Sequence, residues 1–264
     1  MRVRDAALRT RIVGAPNGTM WVALHGYPDT LRVFEPLALS LAETHRTLLF
    51  DWPGQGRSDD LSVYDPRDRA DFLRDLLDAA EIDRTAILAH DMGVLPALAF
   101  AERHPGRVSR LVLAHALLDD DGPVSVDIRV LRGARLYPWA LGLAPGFVFD
   151  RCIASFLAPG HALSGEALAE MRTDFVARRG NVVRLCRAYD AALPTFLPAL
   201  GPIAAPIDLL WSTGAVHFPL AHAEALVKKV HSARITPIAD AKHWLFAQGG
   251  TSRGKIVDIM RFPP

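Results

Sequence analysis

An aspartate stands between an apolar, strand-like stretch and a helical one in the segment TAILAHDMGVLPALAF. Asp91 has small residues two positions before and two positions after it, Ala89 and Gly93. A strand-to-helix turn flanked in this way is tight, and it lifts the central side chain clear of the sheet. The positive end of the following helix favours an ionised carboxylate there. We therefore predict that Asp91 is placed there to react; an acid that only caps the helix is the alternative.

Three further segments carry residue types that could assist such a carboxylate. LHGYPDT, residues 24–30, contains a His-Gly-x-Pro turn, and FDWPGQGRSD, residues 50–59, is a glycine-containing loop. ADAKHWLFAQ, residues 239–248, places His243 after the last predicted strand. Histidine is the side chain whose ordinary pKa suits a general base near neutral pH. His243 is the candidate base.

The elements that position these residues follow from hydrophobic patterning. Short apolar runs alternate with amphipathic segments in both the first and the last part of the chain, which predicts an α/β protein with a mostly parallel sheet. Strands are predicted over 20–26, 46–52, 85–91, 109–117, 206–213 and 233–240, and helices over 65–82, 92–104, 221–230 and 255–262. Between them, 164–180 and 181–193 have helical periodicity without strand signal. The pattern predicts a core over 1–118 and 204–264 with a helical cap over 119–203.

Composition excludes several classes of function. The 264 residues are 50% hydrophobic, and 30 Lys and Arg against 29 Asp and Glu leave a net charge of +1. This balance gives no reason to expect nucleic acid or an anionic membrane as a partner. The opening MRVRDAALRTRIVG lacks the apolar segment of a signal peptide. We expect a cytoplasmic enzyme, monomer or homodimer, acting on a small molecule.

Cofactor and metal signals are weak. Cys152 and Cys186 form no disulfide framework, and the histidines show no His-x-x-x-His spacing. The glycines of GAPNG and GQG form short turns rather than a phosphate loop. We expect neither a cofactor nor a metal.

Taken in order, the four motifs resemble the α/β-hydrolase fold, in the Asp-nucleophile branch that contains epoxide hydrolases and haloalkane dehalogenases. The resemblance covers nearly the whole chain. It implies that Asp91 is the nucleophile and His243 the base, and that the backbone N–H groups of Tyr27 and Met92 form an oxyanion hole.

The chemistry of a carboxylate nucleophile limits the class of substrate that it can attack productively. Attack on an acyl carbon would give an anhydride, whereas attack on a saturated carbon gives an alkyl ester on Asp91. Water activated by His243 can then cleave that ester at its carbonyl. The expected substrates are therefore epoxides or alkyl halides rather than ordinary esters.

Side-chain donors favour the epoxide. Halide-releasing relatives hold the halide with N–H side chains at the positions of Met92 and Tyr27, and neither residue here supplies one. Epoxide opening instead needs a weak acid, which epoxide hydrolases take from cap tyrosines. Tyr189 is the better candidate and Tyr137 the other; both could equally be packing aromatics. Two weaker candidates for the substrate-binding cap are Trp139 and His161.

The carboxylate that should orient His243 is not found. Its two usual positions fall at Ala215 and near His115. Asp119 is the nearest acid, and His115 is an alternative orienter. We assign His115 to the pocket together with His25 and Trp52.

Two rival interpretations remain open. Trp52 and Ala215 also fit cofactor-free dioxygenases of the same superfamily, although these carry serine at the elbow; a lyase or cyclase using Asp91 and His243 for proton transfer is related. A catalytically silent binding protein is the second rival.

Overall fold

The computed structural model describes residues 1–118, 142–214, 217–230, 232–239 and 241–261. Its strands are β1 (Arg2–Val3), β2 (Ala6–Ala7), β3 (Thr10–Gly14), β4 (Thr19–Leu24), β5 (His45–Phe50), β6 (Thr85–His90), β7 (Val108–Ala114), β8 (Ile207–Ser212) and β9 (Ala233–Ile238). Its α-helices are α1 (Glu35–Ser40), α2 (Pro66–Ala79), α3 (Val94–Arg103), α4 (Pro145–Phe156), α5 (Gly165–Ala177), α6 (Arg179–Ala199), α7 (Ala221–Lys229) and α8 (Gly250–Arg261).

A seven-stranded sheet forms the centre, in the order β3-β5-β4-β6-β7-β8-β9. Only β3 runs antiparallel to its neighbour; the other pairs are parallel. The predicted α/β architecture with a mostly parallel sheet is confirmed. Every residue of β6 and β8 is buried, because helices cover both faces of the sheet. This is why these strands read as continuous apolar runs rather than as alternating ones.

Helix α2 illustrates how local sequence sets an element's ends. Asp65 caps its first turn by accepting a hydrogen bond from the Arg67 N–H, and Pro66 occupies the first helical position. Its apolar side packs against α3 and into the core. Arg69 lies on that same buried side. A charged residue on the apolar face of a helix is unusual.

In the described part of the chain between β7 and β8, three helices are present, α4 to α6. Glu170 and Asp174 of α5 face three arginines of the first sixty residues. Glu170 lies 2.7 Å from Arg9 and from Arg32 and 3.3 Å from Arg57, and Asp174 lies 3.3 Å from Arg57. We call these five residues the α5 junction. It fastens one side of the helical segment to the sheet domain.

Within the described residues, no helix has both the length and the apolar character needed to cross a membrane.

Candidate active site

Asp91 occupies a strained turn at the carboxyl end of β6. Its φ is +51°, in the left-handed region that non-glycine residues rarely adopt, and a single 3-10 turn over Asp91–Gly93 joins it to α3. A Cβ on Gly93 would overlap the carbonyl of Leu24, so the turn packs directly on β4. Backbone strain of this kind clusters at functional sites.

Two backbone amides converge on the Asp91 carboxyl. The Tyr27 N–H donates to Oδ2 at 2.9 Å, and the Met92 N–H also hydrogen-bonds to the carboxyl and lowers its pKa. The approach is close because residue 26 is glycine: a Cβ there would lie 2.5 Å from the Asp91 Cβ. The structure thus brings together Asp91 and the two amides that the sequence suggested.

Burial dominates the electrostatics of Asp91. It raises the pKa of the carboxyl to about 8; the charge of His90 and the Met92 N–H lower it, and the charge of Asp29 raises it further. The carboxyl therefore ionises only as the pH approaches 8.

The imidazole of His243 faces this carboxyl. Its Nε2 lies 4.0 Å from Asp91 Oδ2, too far for a direct hydrogen bond. Burial, together with the charges of His90, His115 and His217, lowers the pKa of His243 well below its ordinary value. The ring is therefore neutral and able to accept a proton.

Among the described residues, no orienting group contacts the other nitrogen of this ring. The His243 Nδ1 has no hydrogen-bond partner in the described part of the chain. Asp119 and Ala215 lie outside the described residues. His115 does not take the role either, because its Nδ1 donates to the backbone carbonyl of His243 at 2.7 Å and its Nε2 accepts from the Ser212 N–H at 2.8 Å. This contradicts the hypothesis that His115 orients the imidazole.

A second histidine holds the same carbonyl. His90 donates from Nε2 to the His243 carbonyl at 2.8 Å, while its Nδ1 lies 3.3 Å from Asp29 Oδ2. Burial lowers the pKa of His90, but the Asp29 carboxylate, the Asp91 charge and this carbonyl outweigh it and raise the pKa overall. With an acceptor at each nitrogen, His90 is positioned as an imidazolium paired with Asp29. Together, His90 and His115 fix the backbone that carries His243.

His25 and Trp52 support the turn at Gly26 from behind. The His25 Nε2 accepts from the Trp52 N–H at 3.1 Å, and the Trp52 indole donates to the His25 carbonyl at 3.0 Å. Gln55 donates to the Gly26 carbonyl at 3.1 Å. The rings of His25 and Trp52 are fully buried. Their contacts hold the loop that presents the Tyr27 N–H.

The α6 helix carries a tyrosine within electrostatic reach of Asp91. Tyr189 and Cys186 lie three residues apart on one face of α6, and the charge of Asp91 contributes to the raised pKa of each. Burial is the main cause of the raised pKa of each. His161 lies in the loop between α4 and α5. Tyr137 and Trp139 lie outside the described residues.

Comparison with known proteins agrees with this geometry. The alpha/beta hydrolase fold family matches residues 22–149, which include the Gly26 turn and the Asp91 elbow. The epoxide hydrolase CorEH superposes with a TM-score of 0.81 at 17% identity, covering 98% of this chain and 94% of that one. At this identity the likeness shows the fold alone. The chain has the α/β-hydrolase fold.

Two curated relatives of this α/β-hydrolase are enzymes. A 2-hydroxy-6-oxononadienedioate/2-hydroxy-6-oxononatrienedioate hydrolase of Paraburkholderia xenovorans is 29% identical over 230 residues, 83% of this chain and 76% of the relative. A cis-3-alkyl-4-alkyloxetan-2-one decarboxylase of Shewanella oneidensis is 31% identical over 144 residues, 52% of this chain and 44% of the relative.

The α/β-hydrolase also contains a compact histidine cluster. One ring nitrogen each from His90, His115 and His243 lie within 4.8 Å of one another, a spacing that could suit a metal ion. Both nitrogens of His90 and both of His115 are, however, engaged with backbone groups or Asp29. A metal would have to displace these bonds, so the cluster fits a structural role around His243.

Sequence reasoning missed three buried residues near the candidate site: Asp29, His90 and Arg69. Asp29 follows the His-Gly-x-Pro turn and His90 precedes Asp91, but their pairing spans 61 residues and has no local signature. Arg69 did carry a signal, since an arginine interrupts the apolar face of α2.

Proposed function

We propose that Asp91 opens an epoxide by attacking one of its saturated carbons, and that His243 then activates water to cleave the resulting ester. The observation that carries this proposal is the carboxylate at the elbow, with Oδ2 held by the Tyr27 N–H at 2.9 Å. A carboxylate in that place forms a stable, hydrolysable ester only with a saturated carbon.

In the first step, Asp91 Oδ1 attacks the ring carbon and the carbon–oxygen bond of the epoxide breaks. Oδ2 keeps its hydrogen bond from the Tyr27 N–H and becomes the ester carbonyl oxygen, while the Met92 N–H stays bonded to the carboxyl group. The alkoxide released from the ring takes the proton of the Tyr189 hydroxyl. A neutral tyrosine is available for this because burial raises its pKa.

In the second step, water attacks the ester carbonyl and gives its proton to His243. The oxyanion develops on Oδ2, where the two amides stabilise it. Collapse breaks the bond between the carbonyl carbon and Oδ1, and the leaving oxygen takes the proton of the newly added hydroxyl, so that the diol is released and Asp91 is again a carboxylate. The proton on His243 returns through solvent to the phenolate of Tyr189, which restores the enzyme.

A β-lactone is the second candidate substrate, favoured by the relative named as an oxetan-2-one decarboxylase. Such a ring is also strained and also presents a saturated carbon bonded to oxygen. Attack there releases a carboxylate, which needs no proton donor.

The relatives named as oxononadienedioate hydrolases act on a different bond type. For this chain, that chemistry would require attack at a carbonyl, where Asp91 would form an anhydride. Direct attack by water activated by His243 would avoid the anhydride, and it predicts no covalent adduct.

The test is the intact mass of His243→Gln after incubation with a panel of epoxides, β-lactones and alkyl halides. We expect an adduct of the full epoxide mass that is absent from a His243→Gln/Asp91→Asn double variant. A lactone adduct alone would select the second candidate. Folded protein that forms no adduct with any reagent would contradict an Asp91 nucleophile and favour the proton-transfer or binding-protein interpretations.

A further inference from the structure

Arg69 is a buried cation without a carboxylate partner in the described part of the chain. Its side chain is fully buried, its Nε donates to the Val63 carbonyl at 3.2 Å, and its Nη2 donates to Gln55 Oε1 at 2.7 Å. The guanidinium lies 4.8 Å from the centre of the Trp52 ring. The third nitrogen, Nη1, has no hydrogen-bond partner among the described residues. Burying a charge without its counterion is strongly unfavourable, so an anion should form there at some stage.

Tyr189 lies within electrostatic reach of the Arg69 guanidinium. Its side chain is buried in the same core cluster as Trp52, and its hydroxyl lacks a hydrogen-bond partner of ordinary geometry within the described residues. Burial raises the pKa of Tyr189 and lowers that of Arg69, and the interaction between the two side chains opposes both shifts. Asp91 acts on Tyr189 from the other direction. Tyr189 is therefore within electrostatic reach of both the nucleophile and the unpartnered cation.

Gln55 ties this pair to the turn that faces Asp91. Its Oε1 accepts the bond from Arg69, and its Nε2 donates to the Gly26 carbonyl. The next residue, Tyr27, supplies the amide that holds Asp91. These hydrogen bonds therefore fix the position of the Arg69 guanidinium relative to the Asp91 carboxyl.

We propose that Arg69 is a positioning residue for ring opening, whose free Nη1 orients the Tyr189 hydroxyl and balances the phenolate left when that hydroxyl protonates the alkoxide. The inference rests on the proposed function and adds the group that makes proton donation feasible. Without Arg69, a buried tyrosine would have to become an anion with no counter-charge. The proton leaves Tyr189 for the substrate oxygen, and Arg69 itself neither gains nor loses one.

The test compares two leaving groups in the His243→Gln background, where the adduct accumulates. An epoxide needs the proton from Tyr189, whereas an alkyl iodide of matched skeleton leaves as iodide and needs none. We expect Arg69→Met to slow adduct formation from the epoxide by about 10²-fold, the usual contribution of a general acid, and to change the iodide rate by less than about threefold. Arg69→Lys should restore about tenfold of the epoxide rate, because it returns the charge.

The second part of the test uses Tyr189→Phe. This variant should slow adduct formation from the epoxide to the same extent as Arg69→Met does. Combining the two substitutions should cause no further loss of rate, because the arginine acts through the tyrosine. Arg67→Met is the matched control, since Arg67 is on the same helix, partly exposed, and stacks on Phe196 at 5.2 Å. It should leave both rates unchanged.

Equal slowing of both reagents, or losses that multiply when Arg69→Met is combined with Tyr189→Phe, would overturn the proposal and leave Arg69 a structural residue. If Arg69→Met does not fold, Arg69→Lys with and without Tyr189→Phe gives the same comparison, because lysine keeps the charge but loses the guanidinium geometry. If His243→Gln forms no adduct with either reagent, the proposed function fails, and this proposal fails with it. If the epoxide adduct forms and Arg69→Met does not change its rate, the role proposed for Arg69 is contradicted and the proposed function is not.

Discussion

The α5 junction and the surroundings of Asp91 use charge in opposite ways. In the junction, Glu170 and Asp174 each lie within 3.3 Å of at least one arginine, and two of the arginines lie 2.7 Å from Glu170. Around Asp91, no arginine or lysine of the described residues pairs with the carboxyl, and Arg69 has no carboxylate partner there. The His243 Nδ1 and the Tyr189 hydroxyl are also without hydrogen-bond partners there.

The pKa values express the same difference. Hydrogen bonds from Arg32 and Arg9 hold the pKa of Glu170 at about 2, whereas burial raises that of Asp91 to about 8. Satisfied charges stabilise an interface, and unsatisfied buried ones cost stability that only function explains. The junction fastens the helical segment, and under the proposed function the unpartnered groups near Asp91 and Arg69 meet the charges that arise during reaction.

The largest expected effect comes from Asp91→Asn. It should lower turnover by about 10⁴-fold or more, because the amide cannot displace the ring oxygen. It should also raise the free energy of unfolding by about 1–2 kcal/mol at pH 8, because a buried group that resists ionisation is replaced by a neutral one. The folded pKa is raised, so the wild-type protein loses stability as pH rises from about 4 to 8, and the variant does not. Denaturant unfolding at pH 5 and 8 measures this; a variant that is less stable at both would contradict the comparison.

A smaller loss is expected from Gly26→Ala. The added Cβ would lie 2.5 Å from the Asp91 Cβ, so the carboxyl must move, and a displacement of this size costs about 10²-fold in rate. Gly180→Ala is the control, since no atom lies within 4 Å of the Cβ it would add on α6. That variant should keep full activity and gain about 0.5–1 kcal/mol of stability. Equal activities of the two variants would contradict the tight packing at Asp91.

The pH dependence of ring opening follows from Asp91. The nucleophile must be ionised, so kcat/KM should rise about tenfold per pH unit up to pH 8 and then level off. His243 does not cause this rise in rate with pH, since its pKa is far lower. The rate of adduct formation by His243→Gln should therefore rise with pH in the same way. A midpoint below pH 6 would contradict the buried environment assigned to the carboxyl.

The smallest effect is expected in the junction. Glu170→Gln should lower the free energy of unfolding by about 1–2 kcal/mol at pH 7, a figure that allows for partial solvent screening of its ion pairs. Because its pKa is depressed from 4.5 to about 2, the contribution is complete above pH 4.5 and disappears as pH falls towards 2. Glu166→Gln, exposed on the same helix, should change stability by less than about 0.5 kcal/mol. Equal losses in the free energy of unfolding for Glu170→Gln and Glu166→Gln would contradict the claim that the ion pairs of Glu170 stabilise the protein.

Much of the sheet could be predicted from the sequence, because buried parallel strands and glycine-flanked turns have local signatures. The helix predicted over 65–82 is observed as α2 over Pro66–Ala79, and the strand over 85–91 as β6 over Thr85–His90. The helix predicted over 181–193 continues to Ala199, although Pro194 and Pro198 lie inside it. The N-terminal strands β1 to β3 and helices α1 and α4 were missed, because they are short or lack a clear hydrophobic period.

The site was predictable only where a side chain sits in a motif. Asp91, Tyr27 and Met92 converge as the turn sequences suggested. The roles of His90 and His115 were not predictable, because each bonds a carbonyl more than a hundred residues away in the chain. Long-range pairing of this kind leaves no trace in local spacing.

The central claim is that Asp91 forms an ester and that water cleaves it at the carbonyl. It is tested most directly by one turnover in oxygen-18 water, with enzyme in excess over an epoxide that forms the adduct, followed by mass analysis of the peptide containing Asp91. The account predicts one heavy oxygen in the Asp91 carboxyl and none in the first diol released. Label in the diol and none in Asp91 would mean that water attacks the substrate directly, and it would contradict the account.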